Sequence, residues 1–150
     1  MPQSLSNILV HVIFSTKNRE PMLTPEIRES LHGYIAGVME NLSGKLLKAG
    51  SVEDHIHLLL VLPRTSSPAD LVKELKIATN AWLKEQGRRW MDFHWQAGYG
   101  MFSISPAHKE GLIRYIENQE EHHRKVSFQE EYRRLLGKYG IEYDEKYVWD

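Results

Sequence analysis

The chain of 150 residues contains no cysteine, which removes disulfides and thiolate metal sites from consideration. It also has no apolar run approaching the ~20 residues of a membrane-spanning helix. Its first ten residues lack the charged start and small-residue cleavage site of a secretory signal. A cytoplasmic protein with no membrane partner is the expectation. Basic excess is missing too: 19 Lys and Arg stand against 20 Asp and Glu, a formal net charge of −1. A surface-wide field for anionic polymers is thereby excluded, and any phosphate-binding surface has to be local. The local candidates are Lys17 with Arg19, Lys84 with Arg88 and Arg89, and the run from Arg114 through His122 and Arg124 to Lys125. Internal repeats, low-complexity tracts and linkers are absent as well. With 41% hydrophobic residues to build one core, residues 1–150 are expected to form a single domain.

What is present is a regular alternation of elements. Residues 5–14 are rich in β-branched and aromatic side chains and predict a first strand. Thr24-Pro25 is a cap residue followed by proline at the first helical position. Ile27, Leu31, Tyr34, Ile35, Val38 and Leu42 then recur at helical spacing. Residues 46–52 and 55–62 predict two strands joined by the short polar turn Glu53-Asp54. Ser67-Pro68 repeats the cap-plus-proline signal for a second helix, which Gly87 stops. An aromatic-rich loop with Trp90, Phe93, His94 and Trp95 leads to a fourth strand over 99–105. Ser105-Pro106 opens a helix to about His123, and a last helix runs from about Phe128 to Lys138. Strand, helix, strand, strand, helix, strand is the split β-α-β layout. The expected class is therefore α+β: a ferredoxin-like antiparallel sheet with helices on one face, the other face left for a site, and C-terminal helices added.

The third strand opens Asp54-His55-Ile56-His57-Leu58-Leu59. Successive strand side chains point to opposite faces, so His55 and His57 share one face and Ile56 and Leu58 the other. Two imidazoles on one face can share a divalent metal without backbone distortion. They would equally serve as ordinary polar residues at the start of a strand. On the third helix Tyr115 and Gln119 are four apart and stack on one face. A tyrosine beside a metal-held phosphate can act as nucleophile, and a glutamine oxygen can complete the metal's ligands. Each also has a plain alternative: Tyr115 as a packing residue, Gln119 as a solvated helix residue, and His122 to Lys125 as a charged helix end offsetting the macrodipole.

Asp54-His55-Ile56-His57-Leu58-Leu59 followed at this distance by Tyr115-Ile116-Glu117-Asn118-Gln119 resembles the single-tyrosine HUH transposases of bacterial insertion sequences, the repeat-associated tyrosine transposases among them. The resemblance covers nearly the whole chain. It implies that His55, His57 and Gln119 hold Mg²⁺ or Mn²⁺ and that Tyr115 forms a 5′-phosphotyrosine link to single-stranded DNA. It further implies a homodimer that recognises hairpins and cuts and rejoins one strand, working in the cytoplasm and associated with the nucleoid when it acts. Two rival readings remain open at this point. One is a non-catalytic single-stranded nucleic-acid-binding module using exposed aromatics. The other is a metal-dependent phosphodiesterase using water, with His94 or His108 as a further ligand.

Overall fold

Alternation along the two middle strands decides which way the sheet faces. The computed structural model describes residues 2–150 and places β1 (Leu9–Ser15), β2 (Lys45–Ser51), β3 (His55–Val61) and β4 (Gly100–Ile104) in one sheet of order β2-β3-β1-β4. Every pairing is antiparallel. The central pair, β1 and β3, aligns Ile13 with His57 and Ser15 with His55. Val10, Val12 and Phe14 of β1 and Ile56, Leu58 and Leu60 of β3 point to one face. There they pack under α1 (Pro25–Asn41) and α2 (Pro68–Lys84) with Leu31, Ile35, Met39, Leu71 and Leu75. Burying one such aliphatic side chain stabilises the fold by about 2 kcal/mol. Slipping either strand by one residue would drive His55, His57 and His11 into this apolar layer, so the register is firmly set.

The opposite face carries Leu9, His11, Ile13, His55, His57 and Leu59. The split β-α-β layout alone would leave it open, but here the C-terminal third of the chain covers it. α3 (Lys109–Glu117) sits on Leu9 and Leu59 through Ile116. α5 (Phe128–Lys138) sits on Ile13 and Phe102 through Phe128, Tyr132 and Leu136. The short α4 (Gln119–His123) links them. All the side chains of β1 are buried as a result. Among the described residues no helix is long and apolar enough to cross a membrane.

The cap-plus-proline signals mark real starts, with Ser67 accepting from the Asp70 N–H. Three boundaries differ from the sequence expectation for identifiable reasons. β1 begins at Leu9 rather than residue 5, because its partner β3 runs out at Val61, opposite Leu9. Ser105-Pro106 opens a 3₁₀ turn (Pro106–His108) before α3 begins. The helix expected to reach His123 breaks at Asn118, whose φ of −94° and ψ of 20° leave the helical region. Trp90, Phe93 and Trp95 are buried in the α1–α2 core and offer no platform for stacked bases.

Candidate active site

His55 and His57 project from β3 under the C-terminal helices, and both are fully buried. Their rings are oriented from behind. His55 Nδ1 lies 2.7 Å from an Asp54 carboxylate oxygen, and His57 Nδ1 lies 2.8 Å from His11 Nε2 on the neighbouring strand. A carboxylate at Nδ1 keeps that ring's proton there and turns the Nε2 lone pair inward. Both inward Nε2 atoms meet one carboxylate oxygen: Glu131 Oε1 of α5 lies 3.4 Å from His55 and 2.9 Å from His57. His123 Nε2, from α4, reaches that oxygen at 3.0 Å and His55 Nε2 at 3.0 Å. The donor atoms of His55, His57, His123 and Glu131 all lie within 4.8 Å of one another. With metal–ligand bonds of ~2.0–2.2 Å, neighbouring ligands on one cation sit roughly 3 Å apart. This buried cluster can bind a metal ion.

Tyr115 stands at the edge of the cluster. Its ring meets His57 edge-on with centroids 5.8 Å apart. Its hydroxyl donates to Glu131 Oε2 and lies 3.4 Å from His122 Nε2. Gln119 is buried, and its Nε2 donates to the Tyr115 carbonyl at 3.1 Å, while its Oε1 has no hydrogen-bond partner. A buried amide oxygen left without a donor costs on the order of 1–3 kcal/mol. An orphaned buried amide oxygen of this kind can serve as a cation ligand.

The charges follow from this packing. Burial and the adjacent Glu131 carboxylate push the Tyr115 hydroxyl well above the usual tyrosine range, against smaller opposing effects of Gln119 and Arg134. Burial works against the charge of Glu131, but hydrogen bonds from His123, His55 and His57 outweigh it and hold the carboxyl well below its usual value. Burial lowers His57 to about 4 despite Glu131. Burial and the His57 beside it lower His11 to about 3. For His55 burial is outweighed by Asp54 and Glu131, and its pKa is raised.

These shifts make the metal-free protein acid-labile. His11, His57 and His32, the last lowered to about 4 by burial and by Lys48 and Arg28, stay neutral in the folded chain well below pH 6. Unfolded, they take up protons near pH 6.5. The unfolded state then binds more protons across the window from pH 6.5 down to about pH 4, and stability falls as pH falls. The loss is at most about 1.4 kcal/mol per group per pH unit. Below about pH 4.5 the contribution of Glu131 is lost as well. His55 opposes this, because its stabilisation is present below its unfolded pKa and disappears as pH rises through the folded value. The expected outcome is a urea midpoint of chelator-treated protein that drops steadily from pH 6.5 to pH 4. A flat profile would mean that these imidazoles are charged in the folded state.

Of the residues singled out in the sequence, His55, His57 and Tyr115 come together, and Gln119 bonds the Tyr115 backbone. Arg114 and His122 line a cavity of about 630 Å³ whose wall also includes Tyr115 and the buried Glu131. Arg19 and Arg124 border small clefts on the His123 side, and Lys125 is exposed beyond them. Lys17 borders a separate cleft with His94 and Trp149. Arg89 pairs with Glu26 of α1 at 2.9 Å, in the layer on the far face of the sheet, and Arg88 is next to it. Neither His94 nor His108 belongs to the metal-binding cluster found among the described residues. The residues that sequence reasoning missed are His11, His123 and Glu131. Glu131 carries a legible signal: it lies three after Phe128 and four before Leu135, on the apolar stripe of α5. A charged residue in such a stripe needs a buried partner.

Residues 4–119 match the sequence profile of the family described as "Transposase IS200 like". Among curated proteins no sequence match is found. Two solved structures share the fold. A candidate transposase from Deinococcus radiodurans R1 is 24% identical with a TM-score of 0.61, over 79% of this chain and 98% of that one. A REP-associated tyrosine transposase bound to a REP hairpin is 15% identical with a TM-score of 0.61, over 84% of this chain and 74% of that one.

Proposed function

The chain belongs to the family of IS200-like transposases, and from that premise we propose that it cuts and rejoins single-stranded DNA with Tyr115 as nucleophile and His55, His57 and Gln119 holding a divalent cation, Mg²⁺ or Mn²⁺. The observation that carries this reading is one carboxylate shared by two kinds of group. Glu131 meets the histidine Nε2 atoms with one oxygen and the Tyr115 hydroxyl with the other. The nucleophile and the metal-ligating nitrogens thus lie within a single side chain of each other.

In this reading the Tyr115 oxygen attacks a backbone phosphorus and the bond from phosphorus to the 3′ oxygen breaks. The 5′-phosphate stays on the tyrosine, and the 3′ oxygen leaves and takes a proton from solvent to become a hydroxyl. The tyrosine proton departs along its hydrogen bond to Glu131 as the new oxygen–phosphorus bond forms and the phenol oxygen loses basicity. Attack by a DNA 3′-hydroxyl on the phosphotyrosine reverses these changes and rejoins a strand, so no outside energy source is needed. When bound, a divalent cation held by His55, His57 and Gln119, with Glu131 beside it, would supply positive charge to polarise the phosphate. Imidazole nitrogens suit Mn²⁺ better than Mg²⁺, which prefers oxygen ligands and keeps its waters. The reading extends to hairpin-forming single strands as substrate, like the REP hairpin bound by the solved relative, to a homodimer as the working assembly and to action in the cytoplasm.

The test is a covalent-adduct assay. Labelled single-stranded DNA carrying hairpins is incubated with the protein and Mn²⁺ or Mg²⁺ and run on a denaturing gel. A slower band is expected, stronger with Mn²⁺ and absent with chelator or in Tyr115→Phe. Cleavage without an adduct would assign the attack to water instead. Binding without cleavage across many hairpins would make the chain a binding module.

A further inference from the structure

Beside Tyr115 the structure has a feature that strand cutting alone does not explain. The cavity of about 630 Å³ between α3 and α5 has His11 in its lining and Tyr115 with Glu131 on its wall. Its size is that of pockets that enclose small ligands. Leu112, Leu135 and Tyr139 give the lining its apolar part. The Tyr139 ring is held in place by stacking on Phe102, with centroids 4.7 Å apart, and by a 3.0 Å hydrogen bond from its hydroxyl to the Ser103 carbonyl. Arg114, Arg134 and Lys138 add positive charge to the lining. Arg134 and Lys138 are one helical turn apart on α5, both line the cavity, and both are exposed. Among the described residues neither is in an ion pair, whereas Arg133 on the same helix is tied to Glu145 at 2.6 Å. Glu110 is the one carboxylate of the lining besides Glu131.

Apolar side chains beside cations, with Lys138 Nζ 5.7 Å from the Tyr139 ring centroid and Tyr115 in the same lining, match an unpaired nucleotide: apolar surface for its base and positive charge for its phosphates. We propose that this cavity holds the unpaired nucleotide next to the scissile phosphate, with Arg134 and Lys138 gripping its backbone phosphates and Tyr139, Leu112 and Leu135 packing its base. The proposal rests on the strand-cutting reading for the identity of the scissile phosphate, not for the binding of single strands.

The experiment measures binding of a fluorescent dT₁₂ strand to the full-length protein across a salt series by anisotropy. Wild type is compared with Arg134→Gln/Lys138→Gln and with the charge-matched control Lys45→Gln/Lys73→Gln, two exposed lysines on β2 and α2. For single strands each phosphate contact contributes about 0.7 to the slope of log K against log salt. The cavity variant is expected to lose roughly 1.4 from that slope, and the Lys45→Gln/Lys73→Gln control to lose none. A second measurement replaces one thymine with 5-iodouracil and maps the photo-crosslink, expected at Tyr139 or Tyr115. An unchanged slope in the cavity variant, or crosslinks confined to other elements, would overturn the proposal. If the adduct assay fails while slope and crosslink behave as expected, the strand-cutting reading falls and the cavity stands. If adducts form but slope and crosslink do not, only the cavity assignment falls.

Discussion

Glu131→Ala is expected to lower Mn²⁺ affinity by more than a hundredfold and to destabilise the metal-free protein by about 3 kcal/mol. The carboxylate is 2% exposed and bonded to His57 and His123 through one oxygen and to Tyr115 through the other. Removing it strips the cluster of its only anionic donor within reach of all three Nε2 atoms. It also leaves buried imidazole and hydroxyl groups without a partner, and unpaired buried polar groups cost more than the bonds they lose. Glu131→Gln separates the two effects. It keeps the shape and one acceptor, so most of the stability should return, but it lacks the charge, so metal affinity should stay low. Titration calorimetry with Mn²⁺ and urea unfolding with chelator measure the two independently. Unchanged metal affinity in Glu131→Gln would remove the carboxylate from the ligand set and leave His55, His57 and Gln119 to account for binding.

The second large effect is expected from a residue that touches no functional group. Gly50 lies in β2 beneath α3, and a Cβ there would meet both the Ile116 carbonyl oxygen and its Cγ2 at 2.6 Å. The side-chain methyl could turn away, but the backbone carbonyl cannot move unless the helix moves. Gly50→Ala therefore lifts α3 from the sheet at the residue next to Tyr115. Overpacking of this kind costs about 1–3 kcal/mol, and displacing a nucleophile by an ångström costs on the order of a hundredfold in rate. Adduct formation should fall by about that factor while metal affinity, set on β3, α4 and α5, changes little. Adding Ile116→Ala should recover part of the stability and little of the rate, since the carbonyl clash remains. A Gly50→Ala protein with the wild-type rate would show that the seat of α3 on β2 does not position Tyr115.

These two positions show what the sequence can and cannot convey. The strand histidines were legible because alternation is local: His55 and His57 share a face in any strand that contains them. Tyr115 and Gln119 were legible because helical spacing is local too. Glu131 and His123 were not, because their role depends on where α4 and α5 dock, and docking is decided by distant apolar contacts such as Phe128 and Leu136 against Ile13 and Phe102. In sequence Glu131 stands beside Glu130 and looks like one more acidic surface residue. His123 looked like part of a helix end because the break at Asn118, which turns it toward His55, has no strong local marker such as glycine or proline. Gly50 weakened the prediction of β2, as glycine in a strand does, and the structure gives the reason: another backbone passes close above it. The sheet order needed no more than the layout rule, whereas the second face is covered by α3 together with α5, which lies beyond the Tyr115 motif.

The separation of the clustered groups along the chain has a temporal consequence. His11 bonds His57 across 46 positions, His55 meets His123 across 68, and Glu131 reaches back to His57 across 74. Domains are synthesised from the N-terminus, and contacts between distant residues form late. A growing chain that already carries the histidine strand lacks the carboxylate until α5 has been made and has docked. A truncated or misfolded copy stays in that state permanently. If the cluster serves the proposed strand cutting, that activity is expected only once the last helix has docked, and a chain ending before α5 should give no adduct.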